Sequence, residues 1–259
     1  MKIIVLVKQV PDTWGERKLS LATGVLDRAA SDTVIDEIGE RALEVALLQK
    51  DATDAEVVVL TMGPASAVEV LRKGLAMGAD SAVHVLDDAL VGSDAVWTSA
   101  ALSAAITKTG CDLVVAGNES TDGRGGVIPA MIAERMGRPH LTFLNTVQIS
   151  GSVVSGERST EYGTLSAKAL LPAVISITEH SVEPRFPSFK GLLRAKKKPL
   201  TVLSLADLGI DPAVEFAAVG RSVVMTTTPR PARAAGKKIV DSGNAGIELA
   251  EFLAAGRLL

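Results

Sequence analysis

The sequence predicts an α/β fold: a doubly wound, mostly parallel sheet, with an added antiparallel strand region and an extended C-terminal arm ending in a helix. Three observations lead there. Short β-branched apolar runs alternate with helix-length amphipathic segments about four times before Leu141. The composition is 47% hydrophobic but only 3% aromatic, so Val, Leu, Ile and Ala must fill the interior, as suits a parallel sheet covered by Ala-rich helices. After Leu141 the pattern changes to short alternating strands.

Taken in order, "IIVLV" (3–7) has the length and branching of a buried strand. "EIGERALEVALLQKD" follows as a helix with Ile38, Ala42, Val45 and Ala46 on one face and Glu40, Arg41 and Glu44 elsewhere. "EVVVLTMGPAS" is a strand ending at a Gly-Pro break, and "AVEVLRKGLAMGA" is the next helix. "SAVHVL" (81–86), "DAVWTSAALSAAITKTG" and "DLVVAGN" read as strand, Gly-stopped helix and strand. "GGVIPAMIAERMG" is a helix with Pro129 tolerated in its first turn. "TVQISGSVVSGERST" reads as two strands around a Ser-Gly turn, and "GTLSAKALLPAVISITE" as another extended pair. "TTTPRPARAAGKKIVDSGNAG" is a polar linker. The last helix, "GIELAEFLAAGRLL", puts Ile247, Ala250, Leu253 and Ala254 on one face, which must pack on its own domain or on a partner; the long polar linker makes a partner's surface the expected target. The expected division is an α/β nucleotide-binding domain over 1–210 and a linker with docking helix over 211–259.

Charge and composition exclude several classes. A formal net charge of -3 is wrong for a nucleic-acid coat. The only cysteine, Cys111, opens the apolar run "CDLVVAG" and reads as a small core thiol, so no disulfide framework is possible. His84, His140 and His180 lack ligand spacing, and no metal site is expected. No stretch is long enough to span a membrane, and "MKIIVLVKQVPD" lacks a signal-cleavage pattern, which suits a cytoplasmic protein.

Doubly wound sheets bind ligands beyond the carboxyl ends of their strands. "KQVPDTWGE", "TMGPAS" and "GNESTDGRGG" all follow strands and so gather on one edge. Four glycines lie between Gly117 and Gly126, just ahead of a helix. That arrangement turns backbone N–H groups toward an anion, and Asn118, Ser120, Thr121 and Asp122 add polar side chains; it reads equally as a flexible turn. It is neither a Walker loop nor a G-x-G-x-x-G fingerprint, and it lacks the phosphate-loop lysine, so it suits holding a nucleotide rather than hydrolysing it. No nucleophile elbow, His-carboxylate set or paired carboxylates appear, and no catalytic residues are expected.

"VLVKQVPDT", "LAMGAD", "AGNESTDGRGG" and "LPAVISITEHSVEPRFPSFKGLLRAKKKPL", followed by a loose linker and helix, closely resemble the β subunits of electron transfer flavoproteins from residue 1 to about 210. The resemblance implies a heterodimer. An α subunit holds the redox-active FAD, and the β subunit buries a structural AMP. Electrons come from flavin dehydrogenases such as the acyl-CoA dehydrogenases of fatty acid β-oxidation, and go to a quinone oxidoreductase. It further implies a nucleotide site built from Leu6, Val7 and Lys8, from Asp36, Ile38 and Gly39, from Met62, and from Gly117, Asn118, Ser120, Thr121, Asp122, Gly123, Arg124, Gly125, Gly126 and Val127. Many relatives read Asp-Gly-Asp-Thr-Ala-Gln where this chain has Asp122-Gly123-Arg124-Gly125-Gly126-Val127, which leaves the nucleotide open. In bifurcating relatives a second FAD takes this site. Lys8 serves equally as a solvated strand-end charge. A stand-alone ATP-binding protein of the universal-stress type shares the architecture but not the segment from 185 to 200.

Thr13 and Trp14 correspond to the stretch that approaches the companion's flavin, or else form a surface cap. "RFPSFKGLLRAKKKPL" corresponds to the loop that docks the dehydrogenase, with Phe189 at the anchor position and Arg194 among the surrounding charges. Phe189, Leu192 and Leu193 share a helical face; the expectation is that Phe189 is exposed, that Leu192 and Leu193 pack inward, and that Lys196 to Lys198 form a solvated turn.

Overall fold

The computed structural model describes residues 1–258 apart from 16, 29, 216–221, 223 and 237. The chain forms two units, Met1–Met225 and Thr226–Leu259. In the first, β1 (Lys2–Leu6), β2 (Gln9–Pro11) and β3 (Thr33–Ile35) precede α1 (Glu37–Thr53). Next come β4 (Glu56–Met62), α2 (Val68–Met77), β5 (Ser81–Val85), α3 (Ala95–Thr109), β6 (Leu113–Gly117) and α4 (Ile128–Arg135). The later elements are β7 (His140–Leu144), β8 (Thr146–Ser150), β9 (Val153–Thr160), β10 (Gly163–Leu170) and β11 (Ala173–Ile177). α5 (Phe189–Ala195), β12 (Leu200–Leu203) and α6 (Pro212–Glu215) close the unit. The second unit carries α7 (Ala245–Ala255), which buries none of its described residues within that unit.

Seven parallel strands form the main sheet in the order β12-β5-β4-β1-β6-β11-β7. β1 lies in the middle, with Ile3 level with both Val57 and Leu113. The chain builds outward from β1 through β4 to β5, then crosses back to lay β6 on the other side. The gap between the carboxyl ends of β1 and β6 is therefore the topological switch point, where open α/β sheets take ligands. β8, β9 and β10 form a separate antiparallel sheet, and β2 pairs with β3.

The period of two along the strands divides the core. Ile3, Val5, Val57, Val59, Leu113 and Val115 face α1 and α2, whereas Ile4, Val58, Leu60, Val114 and Val174 face α3 and α4. The helices start where the sequence supplies a cap. Asp36 accepts from the N–H groups of Ile38 and Gly39 to begin α1, and Asp94 accepts from that of Trp97 to begin α3. α2 and α3 stop at Gly78 and Gly110.

Glu44 stands off the apolar face of α1 formed by Ile38, Ala42, Val45 and Ala46, yet it is only 5% exposed, because the chain around Arg185 returns to cover it.

Candidate functional site

Three loops meet at the switch point, and specific side chains tie them together. Gln9 is buried; its amide donates to Thr33 Oγ1 and the Ser66 carbonyl, both at 3.1 Å, and its Oε1 accepts from Ser66 Oγ at 2.8 Å. The start of β2 is thereby joined to the loop after β4. Lys8 crosses to the loop after β6, donating to Ser120 Oγ at 3.1 Å and Asp122 Oδ1 at 2.8 Å.

Asp36 is the central tie. Its Oδ1 caps α1, while its Oδ2 accepts from the Thr121 N–H at 2.7 Å and the Thr121 hydroxyl at 2.9 Å. It is 2% exposed and both oxygens are occupied, so Asp36 shapes the site rather than offering a free carboxylate to a ligand. Asp122 is also withdrawn from solvent. Burial pushes its pKa up, but the Lys8 hydrogen bond and charge, the Ser120 hydroxyl and the Gly123 N–H outweigh that and hold it below the usual carboxylate value. Arg28 approaches the other Asp122 oxygen at 3.9 Å and donates to the Gln9 carbonyl at 2.9 Å, and Arg17 donates to the Thr121 carbonyl.

The loop between β6 and α4 is shaped for close approach. Gly126 adopts φ +66°, a conformation a side chain would strain, and Arg124 has φ +48°. α4 starts at Val127 without a side-chain cap, with Pro129 in its first turn. The helix-end N–H groups thus face the loop unclaimed by any side chain, as an anion site requires. Arg124 is largely exposed and lies 3.6 Å from Glu119. Gly125 has open space around its Cα.

Two buried polar atoms at this edge have no partner: Asn118 Oδ1, just past β6, and Thr61 Oγ1, near the end of β4. An unsatisfied buried acceptor costs about 1–3 kcal/mol, and a bound donor would recover it. Adenine-type ligands offer such donors, so the residues present fit a nucleotide.

Of the expected site residues, Val7, Lys8, Asp36, Ile38, Gly39, Gly117, Ser120, Thr121, Asp122 and Gly123 meet across this crevice, Asn118 sits just past β6, and Arg124 to Val127 continue the loop toward α4. A Cβ on Gly39 would lie 3.7 Å from Val7 Cα, and one on Gly117 would lie 3.0 Å from Ile38. Leu6 and Met62 instead turn their side chains into the cluster under α3 and α4, and can offer the crevice only backbone. Thr13 and Trp14 stand exposed on the loop between β2 and β3, Trp14 at 96%. Sequence reasoning missed Gln9, Arg17 and Arg28, whose roles depend on a loop folding back. It also missed Phe143, held at φ +60°, whose ring end lies 3.6 Å from where a Gly126 Cβ would stand. No group of three or more His, Cys, Asp or Glu able to hold a metal exists among the described residues, and no helix there is long and apolar enough to cross a membrane.

The second feature is the arm before β12. Phe186 and Phe189 are 94% and 78% exposed, as expected for an anchor. Leu192 and Leu193 do not pack inward: both are about half exposed, and Ala195 is the residue of α5 that enters the core. α5 lies so close to α2 that its buried stripe is only one small residue wide. The lysine run is divided too. Lys196 and Lys197 are solvated, but Lys198 folds back to donate to the carbonyls of Leu75 and Ala79 at the end of α2.

A doubly wound α/β protein with a Gly-rich, anion-type loop at its switch point and an exposed apolar arm is the class this geometry defines. The electron transfer flavoprotein domain model matches residues 23–208. The electron transfer flavoprotein subunit beta of Mycobacterium leprae is 51% identical over 99% of both chains, and that of Megasphaera elsdenii 35% identical over 82% of both. The caffeyl-CoA reductase-Etf complex subunit CarD of Acetobacterium woodii is 34% identical over 92% of both. The chain belongs to the electron transfer flavoprotein family, among its β subunits.

Proposed function

We propose that this chain is the β half of an electron-carrying heterodimer and holds a structural AMP in the crevice between β1 and β6. The observation that carries the nucleotide reading is the buried, unpartnered Asn118 Oδ1 beside an anion-type loop and an uncapped helix start. In this reading Asn118 takes the base end, and the backbone of 123–127 with Lys8 takes the phosphate. The FAD belongs to the α companion and supplies one- and two-electron redox chemistry. This chain contributes no catalytic group, only the wall around Thr13 and Trp14 that approaches the flavin, and α7, whose apolar residues Ile247, Leu249 and Phe252 are exposed for docking on that companion.

Flavin dehydrogenases acting on acyl-CoA esters are the proposed electron donors, docking on the arm around Phe189 with Arg194 beside it, and a quinone oxidoreductase is the proposed acceptor. A CoA-ester enzyme as partner is supported by two relatives whose names place them with CoA-ester reductases, where electrons run toward the CoA ester rather than from it: the subunit CarD, and an acryloyl-CoA reductase electron transfer subunit of Anaerotignum propionicum. A cytoplasmic setting suits this role. A second reading, with another FAD in the crevice, draws support from the open space at Gly125.

The test is to isolate the chain with its α companion and identify extracted nucleotides by mass spectrometry. One AMP and one FAD per heterodimer are expected; two FAD would favour the second reading, and no adenylate beyond the single FAD would overturn both. For docking, Phe189→Ala should raise the KM for the heterodimer in reduction by an acyl-CoA dehydrogenase while heterodimer and flavin content persist. An unchanged KM removes the arm from that role.

A further inference from the structure

Residues 181–185 do not loop freely toward the arm; they run along one face of α1. Arg41, Glu44, Leu48 and Asp51 follow each other at helical spacing on that face. Arg41 donates to the carbonyls of Ser181 at 2.9 Å and Val182 at 3.1 Å and pairs with Glu183 at 2.7 Å. Glu44 then holds Arg185 completely. Its carboxylate accepts from the Arg185 backbone N–H at 3.1 Å, from Nε at 2.9 Å and from Nη2 at 2.8 Å, and Nη2 also reaches Asp51 at 2.8 Å. The next residue is Phe186, almost wholly in solvent.

The far end of the arm is fastened as well. Arg72 of α2 donates to the Ala195 carbonyl at 2.8 Å, and Gly191 lies so near α2 that a Cβ there would run into the Ala76 carbonyl oxygen. Ser188 caps α5 by accepting from the Gly191 N–H at 3.0 Å. Between two fastened ends stand Phe186, Phe189, Leu192 and Leu193, all exposed, with Lys190, Arg194, Lys196 and Lys197 solvated around them. An apolar face ringed by cations and held in one shape loses little conformational freedom when a partner closes on it.

We propose that Arg185 and Glu44 are positioning residues for partner docking: their ion pair fixes the direction in which Phe186 and Phe189 leave the body, so that the partner meets one preformed apolar face. This rests on the reading of the arm as the dehydrogenase-docking element. Glu44 is the half that makes the device specific. A buried carboxylate presented to a planar guanidinium fixes direction as well as distance, and a lysine ammonium at Arg185 would keep charge but lose the fork.

The experiment measures reduction of the intact heterodimer by an acyl-CoA dehydrogenase with its substrate, as initial rate against heterodimer concentration. Arg185→Lys and Glu44→Gln should each raise the KM for the heterodimer about tenfold and leave kcat within about twofold, the pattern of lost binding rather than lost chemistry. Reduction of the flavin by dithionite should not change. Adding Arg185→Lys to Phe189→Ala should cost little beyond Phe189→Ala alone, because the clamp acts through the aromatic residues. Asp51→Asn, at the exposed outer branch of the pair, should leave the fold intact and raise KM about two- to threefold. If Phe189→Ala raises KM while the clamp variants do not, the positioning role is wrong and the docking reading stands. If Phe189→Ala leaves KM unchanged, the docking reading fails and this inference fails with it. If the two inner variants fail to assemble, Asp51→Asn decides, and an unchanged KM overturns the proposal.

Discussion

Asp122 keeps only 5% of its side chain exposed, between Lys8 on one oxygen and Arg28 near the other. A carboxylate in that position arranges the two cations; it does not meet a phosphate itself. Asp122→Asn keeps an acceptor for Lys8 but removes the charge that aligns Lys8 and Arg28, and bound nucleotide should be lost at least about tenfold faster on dialysis, equivalent to about 1.4 kcal/mol. Retention equal to the parent would take Asp122 out of the site. The pH dependence follows from the sign of its shift. Because the folded pKa lies below the ordinary 3.8, the stabilisation is complete above that value and disappears as pH falls through the lower folded value. The difference in melting temperature between the parent and Asp122→Asn should be flat from about pH 5 upward and shrink only below 3.8. A difference that faded near neutrality would point to another group.

At the scale of elements, Asp36 and Asp94 both cap long helices. Asp94 accepts from the Trp97 N–H and the Ser222 N–H, the latter from a segment far along the chain. Asp36 caps α1 and also satisfies the N–H and hydroxyl of Thr121, a buried residue on a separate loop. Loss of a cap costs about 1 kcal/mol, and a stranded buried donor about 1–3 kcal/mol more. Asp36→Ala should therefore destabilise by about 2–4 kcal/mol in urea unfolding, and a loss of only about 1 kcal/mol, that of a cap alone, would show that the tie to Thr121 contributes nothing. This pair also marks what the sequence could reveal. Asp before an amphipathic run announces a helix start, and β-branched runs announce strands, because both signals are local. Switch-point loops can be located from strand order alone. What stayed hidden depends on chain returning from far away: Glu44 looks solvated until Arg185 covers it, Leu192 and Leu193 look like core until α5 is seen to lie flush against α2, and Gln9 looks like a surface amide until Ser66 meets it. The family motifs give position without geometry: Met62 stands at the end of β4 as they imply, but its side chain packs into the cluster under α3 and α4.

For the whole molecule, α1 links two regions that would otherwise be independent. Its first turn is bound through Asp36 to the loop after β6, and its middle, through Arg41, Glu44 and Asp51, holds the stretch that leads into the arm. A ligand that binds only the closed crevice raises the free energy of any local opening that breaks it, by an amount set by its concentration and affinity. If α1 frays as a unit from its N-terminus, the amides of its first turn and those of 181–185 should share that protection. Hydrogen exchange on the heterodimer, compared before and after removal of the nucleotide, tests this. Removal should speed exchange at 118–126, in the first turn of α1 and at 181–185 together, with α3, on the opposite face of the sheet and away from the crevice, little changed. The arm would then be stiffest when the crevice is filled, which gives the proposed structural nucleotide a physical route to partner docking. Faster exchange confined to 118–126, with 181–185 holding its rate, would mean that α1 is rigid enough on its own and that crevice and arm are energetically separate.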